Sequence, residues 1–150
     1  MDRRKDLIAA AERSLDRLGT EYIDLYQLHW PNYTVPIDET MSAMEELAEA
    51  GKIRFIGVRN FSIGELERAQ SGLARHRIVA NQMRYSLIEG TIESGMLKYC
   101  QENSMTIIAF SPPCVRGPFE ITHGRMDPKA RGLNHGGQDF VSLTNWTAFV

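Results

Sequence analysis

Apolar residues fall in alternating blocks of two kinds along the first two thirds of the chain. Leu7, Ile8, Ala11, Leu15 and Leu18 recur every three or four positions, which predicts an amphipathic helix over residues 3–18 with Gly19 as its stop. The run YIDLYQLHW (22–30) is apolar and aromatic and predicts a strand. Asp38 suits the N-cap of a helix that turns Met41, Met44, Leu47 and Ala48 inward and closes at Gly51. IRFIGV (53–58) predicts the second strand. Ser62 and Glu65 have capping-box spacing and open a helix with Leu66, Ala69 and Leu73 on one face. RIVANQ (77–82) predicts a third strand, residues 92–102 a helix bearing Ile92, Met96, Tyr99 and Cys100, and MTIIAF (105–110) a fourth strand.

The order is α-β-α-β-α-β-α-β, with strand starts roughly 25–30 residues apart, the spacing of parallel βα units. Short strands buried on both faces and right-handed crossovers fit an open doubly wound sheet or part of a (β/α)8 barrel, and periodicity does not separate the two. After Pro112 the pattern changes. Residues 112–138 are rich in glycine and proline and are expected to be irregular, and only FVSLTNWTAFV (140–150) is apolar enough for another strand.

Composition narrows the class. A chain of 150 residues with 43% hydrophobic residues holds enough apolar material for one globular core. A net charge of −2 gives no basic footprint for nucleic acid. There is no apolar run long enough to span a membrane, and the charged N-terminus has no signal-peptide core. Cys100 and Cys114 form no CxxC motif, and with them a reduced, cytoplasmic location is expected. His76, His123 and His135 lack metal-ligand spacing, so no metal is expected.

The candidate chemistry lies where the strands end. In both parallel architectures ligands bind at the C-terminal strand ends. The first strand ends on His29, the second on Arg59 and Asn60, the third on Asn81 and Gln82, the fourth on Phe110 and Ser111. An imidazole can donate a hydrogen bond to a carbonyl oxygen. Asn60 and Gln82 are amides suited to pair with another amide, and Phe110 offers a flat face to a heteroaromatic ring. Amide plus ring is what a nicotinamide presents, so the set suggests hydride transfer. Tyr22 and Tyr26 read as packing residues of the strand body, Tyr85 as structural, and Lys52 and Lys98 as solvated cations at helix ends.

SLDRLGTEYIDLYQLHWP, EELAEAGKIRFIGVRNFS, IVANQMRYSL and IIAFSP resemble four consecutive blocks of the aldo-keto reductase family, covering about residues 3–112 in the same order and spacing. The resemblance implies a partial (β/α)8 TIM barrel of about four βα units over residues 1–112, followed by a divergent, irregular tail over 113–150. It implies an NADP(H) cofactor, with NADPH the hydride donor, and a small-molecule carbonyl substrate. By the same resemblance His29 is the catalytic histidine that orients the carbonyl, Asn60 and Gln82 hold the nicotinamide carboxamide, Phe110 stands where the family usually has a stacking tyrosine, and Ser111 begins the loop toward the pyrophosphate. Arg59 replaces the usual serine. The family's proton-donating tyrosine and its supporting lysine and aspartate lie on strands that precede the matched blocks, so catalysis by this segment alone is not expected.

Two other readings compete with an NADP(H)-dependent oxidoreductase. One is a non-catalytic half-barrel whose sheet edges pair with a second copy or with a complementing chain. The other is a flavodoxin-like open sheet, which would need a glycine-rich phosphate loop where PNYTVP follows the first strand. Neither reading involves nucleic acid or a membrane.

Overall fold

Helix α1 (Arg3–Leu18) packs Ala11 and Leu15 into the core and is stopped by Gly19, whose φ of +63° an L side chain rarely adopts. The computed structural model describes residues 3–86, residues 89–110 and the backbone of 147–149. After α1 come β1 (Ile23–Leu28), α2 (Ile37–Glu49), β2 (Ile53–Arg59), α3 (Ile63–Ser71) and β3 (Ile78–Arg84). A 3-10 turn (Thr91–Ser94), α4 (Met96–Glu102), β4 (Thr106–Phe110) and β5 (Thr147–Phe149) complete the order.

The sheet runs β4-β3-β2-β1-β5, and every pair is parallel. Within β1–β4 this order runs in one direction, as in a barrel wall, and the short β5 joins β1 on the far side. From β1 to β4 each new strand adds on the same side of the last, with no reversal. Right-handed crossovers then place α2, α3 and α4 on one face of the sheet. Among β1–β4 there is no switch point of the kind a doubly wound sheet shows, where the order reverses; only the three-residue β5 lies on the other side of β1. β1–β4 and their helices thus have the arrangement of a strip of barrel wall, with helices on one face of the sheet.

The core lies between sheet and helices. Tyr26, Leu28, Ile56 and Val58 meet Met41, Met44 and Leu47 of α2, Leu66 and Ala69 of α3, and Met96 and Cys100 of α4. Each such burial contributes about 1.5–3 kcal/mol of transfer free energy for the larger apolar side chains. The opposite face carries Leu25, Gln27, Phe55, Gly57, Arg59 and Gln82, paired across the register Leu25↔Phe55, Gln27↔Gly57 and Arg59↔Gln82. Gly57 is required there, because a Cβ would meet Gln27 Cγ at 2.8 Å and Leu25 Cδ1 at 3.0 Å. Phe55 on that face is 52% exposed.

Several local expectations need correction. Asp38 is not the N-cap: Pro36 occupies that position, its carbonyl accepts from the N–H of Glu39 at 3.2 Å, and Asp38 sits in the first turn, where it complements the helix dipole. The helix expected over 92–102 is divided at Gly95 into the 3-10 turn and α4. The first strand is shorter than 22–30, because its pairing with β2 ends at Leu28↔Val58, and His29 and Trp30 form the bend beyond it. Lys52 is not simply solvated but pairs with Glu12 of α1. The capping box forms as expected: the Glu65 carboxylate accepts from the Ser62 N–H at 2.7 Å. Ser111 and the expected irregular stretch 112–138 lie outside the described residues. Within the stretch 140–150, residues 147–149 pair with Leu25–Gln27 of β1.

Candidate active site

Four neighbouring strands bring the predicted residues to one edge. His29 follows β1, Arg59 closes β2, Gln82 pairs with Arg59 from β3, and Phe110 ends β4. Asn60 takes a left-handed conformation, φ +58°, which asparagine tolerates better than most side chains. Its N–H donates to the Gln82 carbonyl at 2.9 Å, extending the β2–β3 ladder one step past the strand.

Asn81 locks this turn from the opposite face. It is fully buried, its Nδ2 donates to the Phe61 carbonyl at 2.9 Å, and its Oδ1 accepts the Phe61 N–H at 3.4 Å. Neighbouring amides on β3 thus divide the work: Asn81 holds the chain that carries Asn60, and Gln82 faces the site.

Arg59 is the centre of the cluster. Its Nη1 lies 3.0 Å from His29 Nε2, and its guanidinium carbon lies 4.4 Å above the centre of the Phe110 ring. A guanidinium only donates, so His29 Nε2 accepts and carries no proton in this arrangement. Burial first, then the charge of Arg59, pull the His29 pKa below its ordinary 6.5. Burial likewise lowers that of Arg59.

The edge also holds unsatisfied polar atoms. Asn60 Nδ2, Gln82 Oε1 and Arg59 Nε are buried and have no hydrogen-bond partner among the described residues. Such atoms cost about 1–3 kcal/mol each when left unpaired. One orphan amide donor and one orphan amide acceptor match the carbonyl and amino group of a primary carboxamide. The residues present therefore fit the amide end of a nicotinamide, while the ring face of Phe110 is covered by Arg59.

Sequence reasoning recognised Arg59 as an unusual residue but not as the bridge between His29 and Phe110. It missed Gln27, which is buried over Gly57 with Oε1 unpaired. The available signal was a glutamine inside an apolar strand. The tyrosines behave as expected of structural residues. Tyr26 is fully buried and its pKa is pushed up to about 12, chiefly by burial. Tyr22 precedes β1 and stacks under Arg54 at 3.9 Å, and the Tyr85 hydroxyl donates to Glu93 at 2.8 Å. Among the described residues no group of three His, Cys, Asp or Glu side chains could hold a metal, and no helix is long and apolar enough to cross a membrane.

Fold and edge together describe a parallel α/β protein of barrel-wall type with a cluster of polar side chains at its strand C-termini. The family model described as the Aldo/keto reductase family matches residues 1–117. Aldo-keto reductase YhdN of Bacillus subtilis is 43% identical over 111 residues, which are 74% of this chain and 33% of that protein. The thermostable aldo-keto reductase Tm1743, solved with the inhibitor epalrestat, is 44% identical with a TM-score of 0.69, over 72% of this chain and 39% of that one. The aldo-keto reductase from Klebsiella pneumoniae, solved with NADPH, is 35% identical with a TM-score of 0.67, over 82% of this chain and 45% of that one. The chain belongs to the aldo/keto reductase family. It spans about a third of the length of the curated relatives it matches.

Proposed function

We propose that the chain forms the cofactor- and carbonyl-facing part of an NADP(H)-dependent oxidoreductase that interconverts carbonyl and alcohol. The observation that carries this reading is the pair of orphaned amide atoms, Asn60 Nδ2 and Gln82 Oε1, beside His29 at one strand edge. NADPH, when bound, supplies the hydride. Asn60 would donate to the carboxamide oxygen and Gln82 would accept from its amino group. Phe110 would offer its ring face, and Ser111 would begin the loop toward the pyrophosphate. His29 would present an N–H at Nε2 to the substrate oxygen, which requires that Nε2 be released from Arg59. In the family the proton donor is a tyrosine supported by lysine and aspartate on earlier strands. Activity is therefore assigned to an assembly in which another segment or chain supplies those groups. Loss of a general acid alone is worth about 10²–10⁴-fold in rate. The proposed setting is the cytoplasm, consistent with the free, buried Cys100.

A thermal melt by circular dichroism, with and without NADPH, tests the reading. Ligand at ~100 times its Kd adds about 2.7 kcal/mol to the native state, or roughly 5–15 °C in Tm. Gln82→Ala should lose most of that shift. A cooperative melt that NADPH does not move refutes the cofactor role. A second reading, a self-associating half-barrel without catalysis, is favoured by the exposure of Phe55 on the face away from α2, α3 and α4 and by β4, the end strand of the sheet among the described residues. It expects a dimer or larger species silent toward NADPH, and a monomer that binds NADPH excludes it.

A further inference from the structure

Phe110 and His29 are the two side chains the proposed site most needs to expose, and Arg59 engages both at once. Its guanidinium carbon lies over the Phe110 ring at 4.4 Å from the centroid, within cation–π reach, and its Nη1 donates to Nε2 of His29 at 3.0 Å. The donor on its stem, Nε, is buried and has no hydrogen-bond partner among the described residues. That combination is unusual for an arginine with a purely structural role. A structural arginine in a buried setting has its donors paired, because an unpaired one loses its hydration without return. Here two contacts hold the head in place while the unsatisfied Nε lowers the cost of leaving.

We propose that Arg59 is a built-in plug: it occupies the ring-stacking face of Phe110 and ties up His29, so a ligand enters this edge only by displacing it. The inference rests on the ring-binding role proposed above for Phe110, but the contact with His29 can be tested independently of any cofactor. A serine or alanine at position 59 would reach neither the ring nor the imidazole. A lysine would keep the charge and lose the flat, delocalised face that stacks on an aromatic ring.

The experiment compares the full chain with Arg59→Ser and Arg59→Lys in two measurements. The first is the rate at which diethyl pyrocarbonate modifies His29 at about pH 8, mapped by peptide mass spectrometry, with His76 as internal standard. The second is NADPH affinity by fluorescence titration. The expected result for Arg59→Ser is His29 modified about tenfold faster with His76 unchanged, and NADPH bound about tenfold more tightly, the scale of one lost cation–π contact. Arg59→Lys should fall between, and it carries the same test if Arg59→Ser does not fold. An unchanged His29 rate overturns the plug. Weaker NADPH binding by Arg59→Ser also overturns it, since Arg59 would then be holding the cofactor. If no variant binds NADPH while His29 becomes more reactive, the cofactor reading fails and the plug over His29 stands.

Discussion

Glu45 on α2 is the most sharply testable support of the fold. Its carboxylate reaches across to the loop between α3 and β3 and accepts the backbone N–H groups of Ala74 at 3.0 Å, Arg75 at 2.7 Å and His76 at 3.2 Å, all on Oε1. Its side chain is only 14% exposed. Those bonds, led by Ala74 and Arg75, hold its pKa down from 4.5 to about 2. A gap of that size corresponds to about 3 kcal/mol of stability at neutral pH, which solvent screening reduces to about 1.5–2 kcal/mol. The sign follows from proton binding: the unfolded chain takes up the proton first, so the contribution is complete above about pH 4.5 and is lost as pH falls toward 2. Glu45→Gln removes the charge, and an amide oxygen serves at most two of the three donors well. Urea unfolding at about pH 7 should show a loss of about 2 kcal/mol, or roughly 1 M in the midpoint, with the slope unchanged. At about pH 3 the difference between wild type and variant should shrink by more than half. An equal difference at both pH values would refute the charge argument and leave only a packing defect.

Other substitutions test the rest of the edge. Asn81→Ala strands both polar groups of the buried Phe61 backbone and should cost about 2 kcal/mol in a denaturant melt, whereas an exposed amide would cost almost nothing. Gly57→Ala forces a methyl against Gln27 and Leu25 and should destabilise by about 1–3 kcal/mol; a neutral result would mean that Gln27 relaxes freely. By NMR, His29 should titrate below 6.5 in the folded chain and move upward in Arg59→Ser. A folded pKa below the unfolded value means that His29 destabilises the fold progressively as pH drops below about 6.5, and a midpoint at or above 6.5 would contradict the burial and Arg59 contact.

The parts legible in the sequence are those written in local signals. Gly19 and Gly51 both have positive φ where a stop was expected, and Ser62 with Glu65 form the box their spacing announces. The strand edge was legible for the same reason: four apolar runs that each finish on a polar or aromatic residue must present those residues together once the strands are parallel. Contacts between residues distant along the chain left no such trace. Nothing around Glu45 indicates that its partners lie 29–31 positions away. Arg59 could be seen as a misfit but not as a bridge, because His29 is 30 residues before it. The choice between barrel wall and doubly wound sheet lies in no single strand; it rests on the unreversed order of β1–β4 and on the likeness of the fold to solved aldo-keto reductases.

The pair Asn81–Gln82 shows why the site survives on a strip of wall. Adjacent positions on a strand face opposite ways, so two identical-looking amides have different environments by geometry alone. Asn81 turns toward the helices and spends its hydrogen bonds on the Phe61 backbone, fixing the turn that puts Asn60 at φ +58°. Gln82 turns the other way, and its carbonyl holds Asn60 by the backbone while its side-chain oxygen stays unpaired. Asn60 Nδ2 and Gln82 Oε1, the amide atoms of the proposed site, are thus positioned by bonds that lie within β2, β3 and the turn between β2 and α3. They do not depend on strands beyond this sheet.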